Sequence, residues 1–140
     1  VTLEVLACCD RLVLVSITHF GNMSGAMNFL WDRSSGLWLK GSLINKPASS
    51  FTSRSSLHAG HETTLISMMM LLFLHGMVYI GVPYSVAELH KTTSGGTPYG
   101  ASAVALPNKQ KLSHEEQEIA ISQGKRLAVM AKKLKNNSGN

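Results

Sequence analysis

Cysteine is nearly absent: the chain of 140 residues has two, adjacent at Cys8 and Cys9. They form no CxxC and no spaced half-sites, so neither a disulfide framework nor a zinc site is indicated. Free thiols suit a reducing, cytoplasmic compartment. Charge is also scarce. Charged residues are 15% against 44% apolar, which excludes a disordered chain. No compositional bias of the collagen, mucin or coiled-coil kind is present. Acidic residues number 8 against 13 Lys and Arg, a net charge of +5. The cations gather only near the end, at Lys125, Arg126, Lys132, Lys133 and Lys135. No aromatic or Gly-rich RNA motif accompanies them, so they read as a solvated helix face with no nucleic-acid partner.

Residues 1–20 lack the order of a signal peptide. The chain begins with Val1 rather than Met, and the expectation is that upstream sequence is missing. Residues 63–87 carry no Asp, Glu, Lys or Arg, a stretch long enough to span a bilayer. His75-Gly76 divides it. The Met/Leu-rich part before them favours helix. Met77 to Val82 favours strand. The expectation is a buried helix, a Gly turn and a buried strand, with no membrane insertion.

What is present alternates between strands and helices. Residues 2–9 read as the tail of a helix. Residues 11–17 (RLVLVSI) are a continuous apolar run, as in a parallel strand covered on both faces. Residues 18–22 (THFGN) are a loop. Met23, Ala26, Met27, Leu30 and Trp31 form a helical stripe. Residues 34–46 read as loop, and 47–53 as a strand of moderate strength. Residues 54–60 are a Ser/His/Gly loop before the Met-rich helix. Residues 77–82 are the third strand. Residues 85–98 are polar, the cluster 95–100 reads as a turn, and 101–106 predict a fourth strand. Ser113 and Glu116 form a capping box opening a final helix to about Lys135. Residues 136–140 are expected to fray.

Such alternation predicts one α/β domain with a parallel sheet. Ligands of such sheets sit beyond the carboxyl ends of the strands. That rule selects residues 18–22, residues 53–60 and the turns after Val82. Loops of small polar residues expose backbone N–H groups to a planar, acceptor-rich ligand. His58, His61 and Glu62 do not meet HExxH, so no metal is expected. Taken alone, His75 reads as a core or interface histidine, Trp38 as packing, and Met68 to Met70 as helix packing.

At these loops the chain resembles a known family. Ser16-Ile17-Thr18-His19-Phe20-Gly21-Asn22-Met23 is similar to the SPTRFGNM segment of the tryptophan-repressor-binding-protein (WrbA) class of NAD(P)H:quinone oxidoreductases. Gly36-Leu37-Trp38 with Gly41 is similar to its GLWxxG, and His58-Ala59-Gly60-His61-Glu62-Thr63 to its HGGQET variant. His75-Gly76-Met77 and Gly95-Gly96-Thr97-Pro98-Tyr99-Gly100 match two further blocks in the same order.

The resemblance implies a flavodoxin-like, doubly wound parallel sheet, present as the C-terminal two-thirds of a family member. The first strands and the phosphate loop are missing from it. It implies FMN as cofactor, NAD(P)H as electron donor, a quinone as substrate, and a homo-oligomer, dimer or tetramer. By resemblance, Thr18, His19, Phe20, Gly21 and Asn22 hold the flavin ring. Ser53, Arg54, Ser55, Ser56, Leu57 and His58 cover another side. His75 contacts the ring across a subunit boundary, and Trp38 walls the substrate space. No side-chain nucleophile is required, because the flavin carries the hydride. Two positions depart from the family block. Ile17 replaces a Pro that would pre-set the turn, and His19 replaces an Arg with its fork of donors. With the first strand missing, its partner at 11–17 becomes a bare edge. A fragment or decayed gene product that binds FMN weakly, if at all, is then expected. The alternative is a non-catalytic remnant that has kept its oligomer-forming half.

Overall fold

The computed structural model describes residues 2–106, 108 and 111–137. The elements run α1 (Leu3–Cys8), β1 (Leu12–Ile17), α2 (Gly25–Asp32), α3 (Ser35–Leu39), β2 (Pro47–Arg54), α4 (His61–Leu74), β3 (Val78–Tyr79), α5 (Glu88–Lys91), β4 (Ala101–Val104) and α6 (His114–Asn137). Every strand pairing is parallel, and β2 is central. β1 lies along one edge of β2, from Leu12 opposite Ala48 to Ile17 opposite Ser53. The other edge carries β3 beside Pro47 and Ala48, then β4 beside residues 51–54. β3 and β4 are therefore two pieces of one interrupted strand, with residues 80–100 looping out between them.

Two predicted elements are corrected. The strand expected at 77–82 pairs only at Val78 and Tyr79, because Ile80 and Val82 already turn toward β2 and Pro98 through single backbone bonds. The strand expected to reach 106 ends at Val104. Residues 34–46, read as loop, hold α3, and the polar stretch 85–98 holds α5. Both are single turns, too short to leave a periodic pattern. The final helix starts at the predicted place: Glu116 N–H bonds Ser113 Oγ at 3.1 Å, and Ser113 N–H bonds the Glu116 carboxylate at 2.9 Å. It runs through Asn137, past the expected end. Of the residues expected to fray, 138–140 lie outside the described residues.

Alternation along β1 puts Leu14 and Ser16 on the α2–α4 face and Val13, Val15 and Ile17 on the α6 face. The expectation of two covered faces fails there: Val15 is 46% and Ile17 56% exposed. The main core lies on the other face, where Leu14, Trp31, Leu43, Ala48, Leu65, Met68 and Leu72 pack together. The stretch 65–82 is a helix, a Gly turn and a short strand, as expected. Among the described residues, no helix is long and apolar enough to cross a membrane.

Candidate functional site

Because β1 and β2 are parallel and Ile17 stands opposite Ser53, the chain leaves both strands on one rim. Residues 18–22 and 53–60 therefore emerge side by side. Four hydrogen bonds hold them. Thr18 N–H donates to the Ser53 carbonyl at 3.2 Å. Thr52 Oγ1 donates to the Ser16 carbonyl at 2.7 Å, so Thr18 Oγ1, 2.9 Å away, is the donor of the pair they make. Arg54 Nη1 donates to the Thr18 carbonyl at 2.7 Å. The guanidinium thus ties the two loops together.

The loop after β1 is a two-residue hairpin. His19 and Asn22 exchange both backbone bonds, at 2.8 and 2.9 Å. Between them Phe20 has φ +50° and Gly21 φ +77°, the paired positive values of a type I′ turn. A left-handed Phe costs about 1–2 kcal/mol, and its ring, 98% exposed, recovers nothing by burial. Strain of this sort persists only where the surrounding structure holds it. Gly21 is also held by contact: a Cβ on Gly60, itself at φ +85°, would come within 2.7 Å of the Gly21 Cα. Bare backbone at Gly60 is what lets the loops touch, and a Cβ on Gly21 would press on Thr63 Oγ1 at 3.0 Å.

Around this floor, His19, Asn22, Ser55, Ser56, Leu57 and His58 are exposed, Ser53 and Arg54 are half-buried, and Thr18 is buried. The Ser56 carbonyl accepts from His61 Nε2 at 3.0 Å, which fixes the far end of the second loop to the start of α4.

His75 and Trp38 stand elsewhere in this chain. α4 carries the chain from the loop rim back to the amino ends of the strands, so its 14 residues set His75 about 20 Å from His61. There Ser34 Oγ donates to the Trp31 carbonyl at 2.6 Å and accepts from His75 Nε2 at 3.0 Å. The His75 ring lies 5.1 Å from that of Trp31, and burial lowers its pKa from the ordinary 6.5. Trp38 Nε1 donates to the Leu74 carbonyl at 2.9 Å. This second cluster lines an open groove of about 600 Å³ between α2, α3 and α4. One chain therefore brings together the predicted residues of the two loops, while His75 and Trp38 share a groove with only one of them, Asn22.

Sequence reasoning passed over Ser34, Trp31 and the linking role of Arg54. Nothing in their local pattern announces a partner 36 or 41 residues away. His61 stands in the quoted HAGHET block, where it reads as a loop and helix-entry residue rather than a metal ligand. Among the described residues, no group of three or more His, Cys, Asp or Glu could hold a metal. The most apolar cavity, about 520 Å³, lies between α6 and the outer face of β1 and β2, away from the Phe20 hairpin.

A split parallel sheet flanked by helices, with paired loops at its carboxyl rim, is a flavodoxin-like architecture. A solved structure described as the flavodoxin, WrbA-like protein from Agrobacterium tumefaciens shares this fold. Its TM-score is 0.69 at 17% identity, over 92% of this chain and 71% of that one. A curated NAD(P)H dehydrogenase (quinone) from Chromohalobacter salexigens is 46% identical over 134 residues, 94% of this chain and 67% of that protein. The chain belongs to the NAD(P)H dehydrogenase (quinone) family of oxidoreductases. No family model matches it.

Proposed function

We propose that this chain is an FMN-dependent NAD(P)H:quinone oxidoreductase whose flavin ring rests between residues 18–22 and 53–58. The observation that supports this most is the shared rim, locked by Arg54 on the Thr18 carbonyl. The parts suit an isoalloxazine. Phe20 offers an uncovered aromatic face beside backbone N–H groups, on a floor that excludes side chains at Gly21 and Gly60. Bound there, FMN supplies the two-electron chemistry that couples NAD(P)H oxidation to quinone reduction. The chain's residues orient the ring, exclude water from its buried edge and hold the loop spacing.

His75 and Trp38 serve in this reading from a second copy of the chain. From Met68 to Leu74 α4 is apolar all round, and such a stretch calls for cover on every side. Yet Leu74 is 70% and Trp38 55% exposed. A homo-oligomer that buries this patch would carry both residues to a neighbour's loop rim. Free Cys8 and Cys9 fit a cytoplasmic setting.

The test is flavin fluorescence quenching on titration, with FMN and riboflavin in parallel. The contacts named above reach the ring and not the phosphate, so the two should bind alike, within about threefold (under 1 kcal/mol). Arg54→Ala should weaken both. No quenching by either would overturn the reading. A colourless oligomer without quinone reductase activity would favour the non-catalytic remnant, to which the exposed apolar face of β1 also points. Sub-micromolar FMN binding would exclude that remnant.

A further inference from the structure

The rim carries a second concavity, on the side of the second loop away from β1. It has a volume of about 550 Å³ and lies between the start of α4 and residues 92–97, with Leu57, His58, His61, Glu62, Thr93 and Ser94 on its walls. The flavin reading uses Leu57 and His58 but neither His61 nor Glu62. His61 is only 7% exposed. Its Nε2 faces the Ser56 carbonyl at 3.0 Å, so the proton sits on Nε2 and Nδ1 carries a lone pair. Among the described residues that Nδ1 has no hydrogen-bond partner. A buried acceptor without a donor is costly, and an incoming hydroxyl relieves it. His61 is also the first residue of a 14-residue helix whose N-cap, Gly60, supplies no side-chain cap. The leading N–H groups and the positive end of the helix dipole favour an anion. Among the described residues that line the cavity none is Lys or Arg, and Glu62 puts a carboxylate at its wall.

We propose that this cavity binds the ribose–phosphate portion of the reducing dinucleotide, with a hydroxyl on His61 Nδ1, a phosphate at the first turn of α4 and the ribose diol on Glu62. An acidic residue beside a helix N-terminus suits a free ribose diol and opposes an added phosphate on it. The site therefore takes NADH in preference to NADPH. The choice of a dinucleotide rests on the oxidoreductase reading; the cavity and its donor set do not.

The experiment titrates the flavin-free chain with ADP-ribose, NADH, NADPH and inorganic pyrophosphate, followed by calorimetry and by the imidazole signals of His61. ADP-ribose and NADH should bind alike, and NADPH roughly tenfold or more weaker, the loss of one charge-assisted contact. Glu62→Lys, an exposed change that spares the core, should remove or invert that preference. His61→Phe should weaken ADP-ribose by a similar factor, its fold checked by an unchanged near-UV spectrum. If His61→Phe does not fold, the shift of the His61 signals on adding ADP-ribose to the unaltered chain decides the point. Absence of saturable ADP-ribose binding, equal binding of pyrophosphate and ADP-ribose, or a preference untouched by Glu62→Lys would each overturn the proposal. FMN quenching is read separately. ADP-ribose binding without FMN binding sinks the flavin reading alone, and the converse sinks this one alone.

Discussion

The two faces of the sheet are held by different physics. On the α2–α4 face, Leu14, Trp31, Leu43, Leu65, Met68 and Leu72 close a continuous apolar core. On the α6 face the apolar cluster is small, Val82, Ala101 and Ile119. Polar side chains from α6 complete it. The buried Glu116 carboxylate accepts from the Gly95 and Val104 amides at 3.0 and 2.9 Å. Gln123 accepts from Ala101 N–H at 2.7 Å and donates to Ser49 Oγ and the Ser50 carbonyl. These bonds bridge the gap in the interrupted strand. The lesson is that a split strand lacks the area for apolar adhesion and is fastened by directed bonds. Those bonds also set the loop 92–97 that walls the cavity beside α4.

The comparison can be broken at its strong side first. Leu65→Ala, at a fully buried position on the α2–α4 face, should cost about 2–5 kcal/mol in urea unfolding. A cost below about 1 kcal/mol would show that this core is not the main support. Glu116→Gln should cost about 1–3 kcal/mol, since an amide cannot accept from all the N–H groups the carboxylate serves. Amide exchange should quicken at Gly95 and Val104 while α4 stays protected; uniform loosening would contradict the division between faces.

His75 sharpens the contrast through pH. Burial lowers its pKa in the folded chain, so the unfolded chain binds the proton more readily near the ordinary 6.5. Its contribution is complete above that value and is lost as pH falls, at a slope of up to about 1.4 kcal/mol per unit. The thermal midpoint should drop between pH 7.5 and 5.5, and His75→Gln should flatten that drop. An identical drop in the variant assigns it to other groups. The smallest effect is expected from Val15→Thr, on the exposed face of β1: within about 0.5 kcal/mol. A larger cost would mean that something covers that face in solution.

Much of this architecture was legible. The apolar run at 11–17, the Met-rich helix closed by Gly76 and the Ser113–Glu116 box all rest on local physics that a one-dimensional pattern records. β2 was underrated because it carries the polar Ser49, Ser50 and Thr52 instead of an apolar run. They are buried through side-chain bonds to Ile80, Tyr79 and Ser16. α3 and α5 were missed for their shortness. Of the candidate site, the two loops were found from the rule that ligands lie beyond strand ends. For His75 the resemblance already implied a contact across a subunit boundary; that Trp38 also stands apart from the loops was not legible, because motif order says nothing of where a helix ends in space.

By itself the sequence determined where turns, caps and apolar faces fall, since each depends on neighbours within a few residues. Only the tertiary structure decided that Arg54 would reach the Thr18 carbonyl, that two short strands would share one edge of β2, and that the Nδ1 of His61 would find no donor among the described residues. Such outcomes depend on groups far apart along the chain, and a hydrogen bond forms or fails within a few tenths of an ångström.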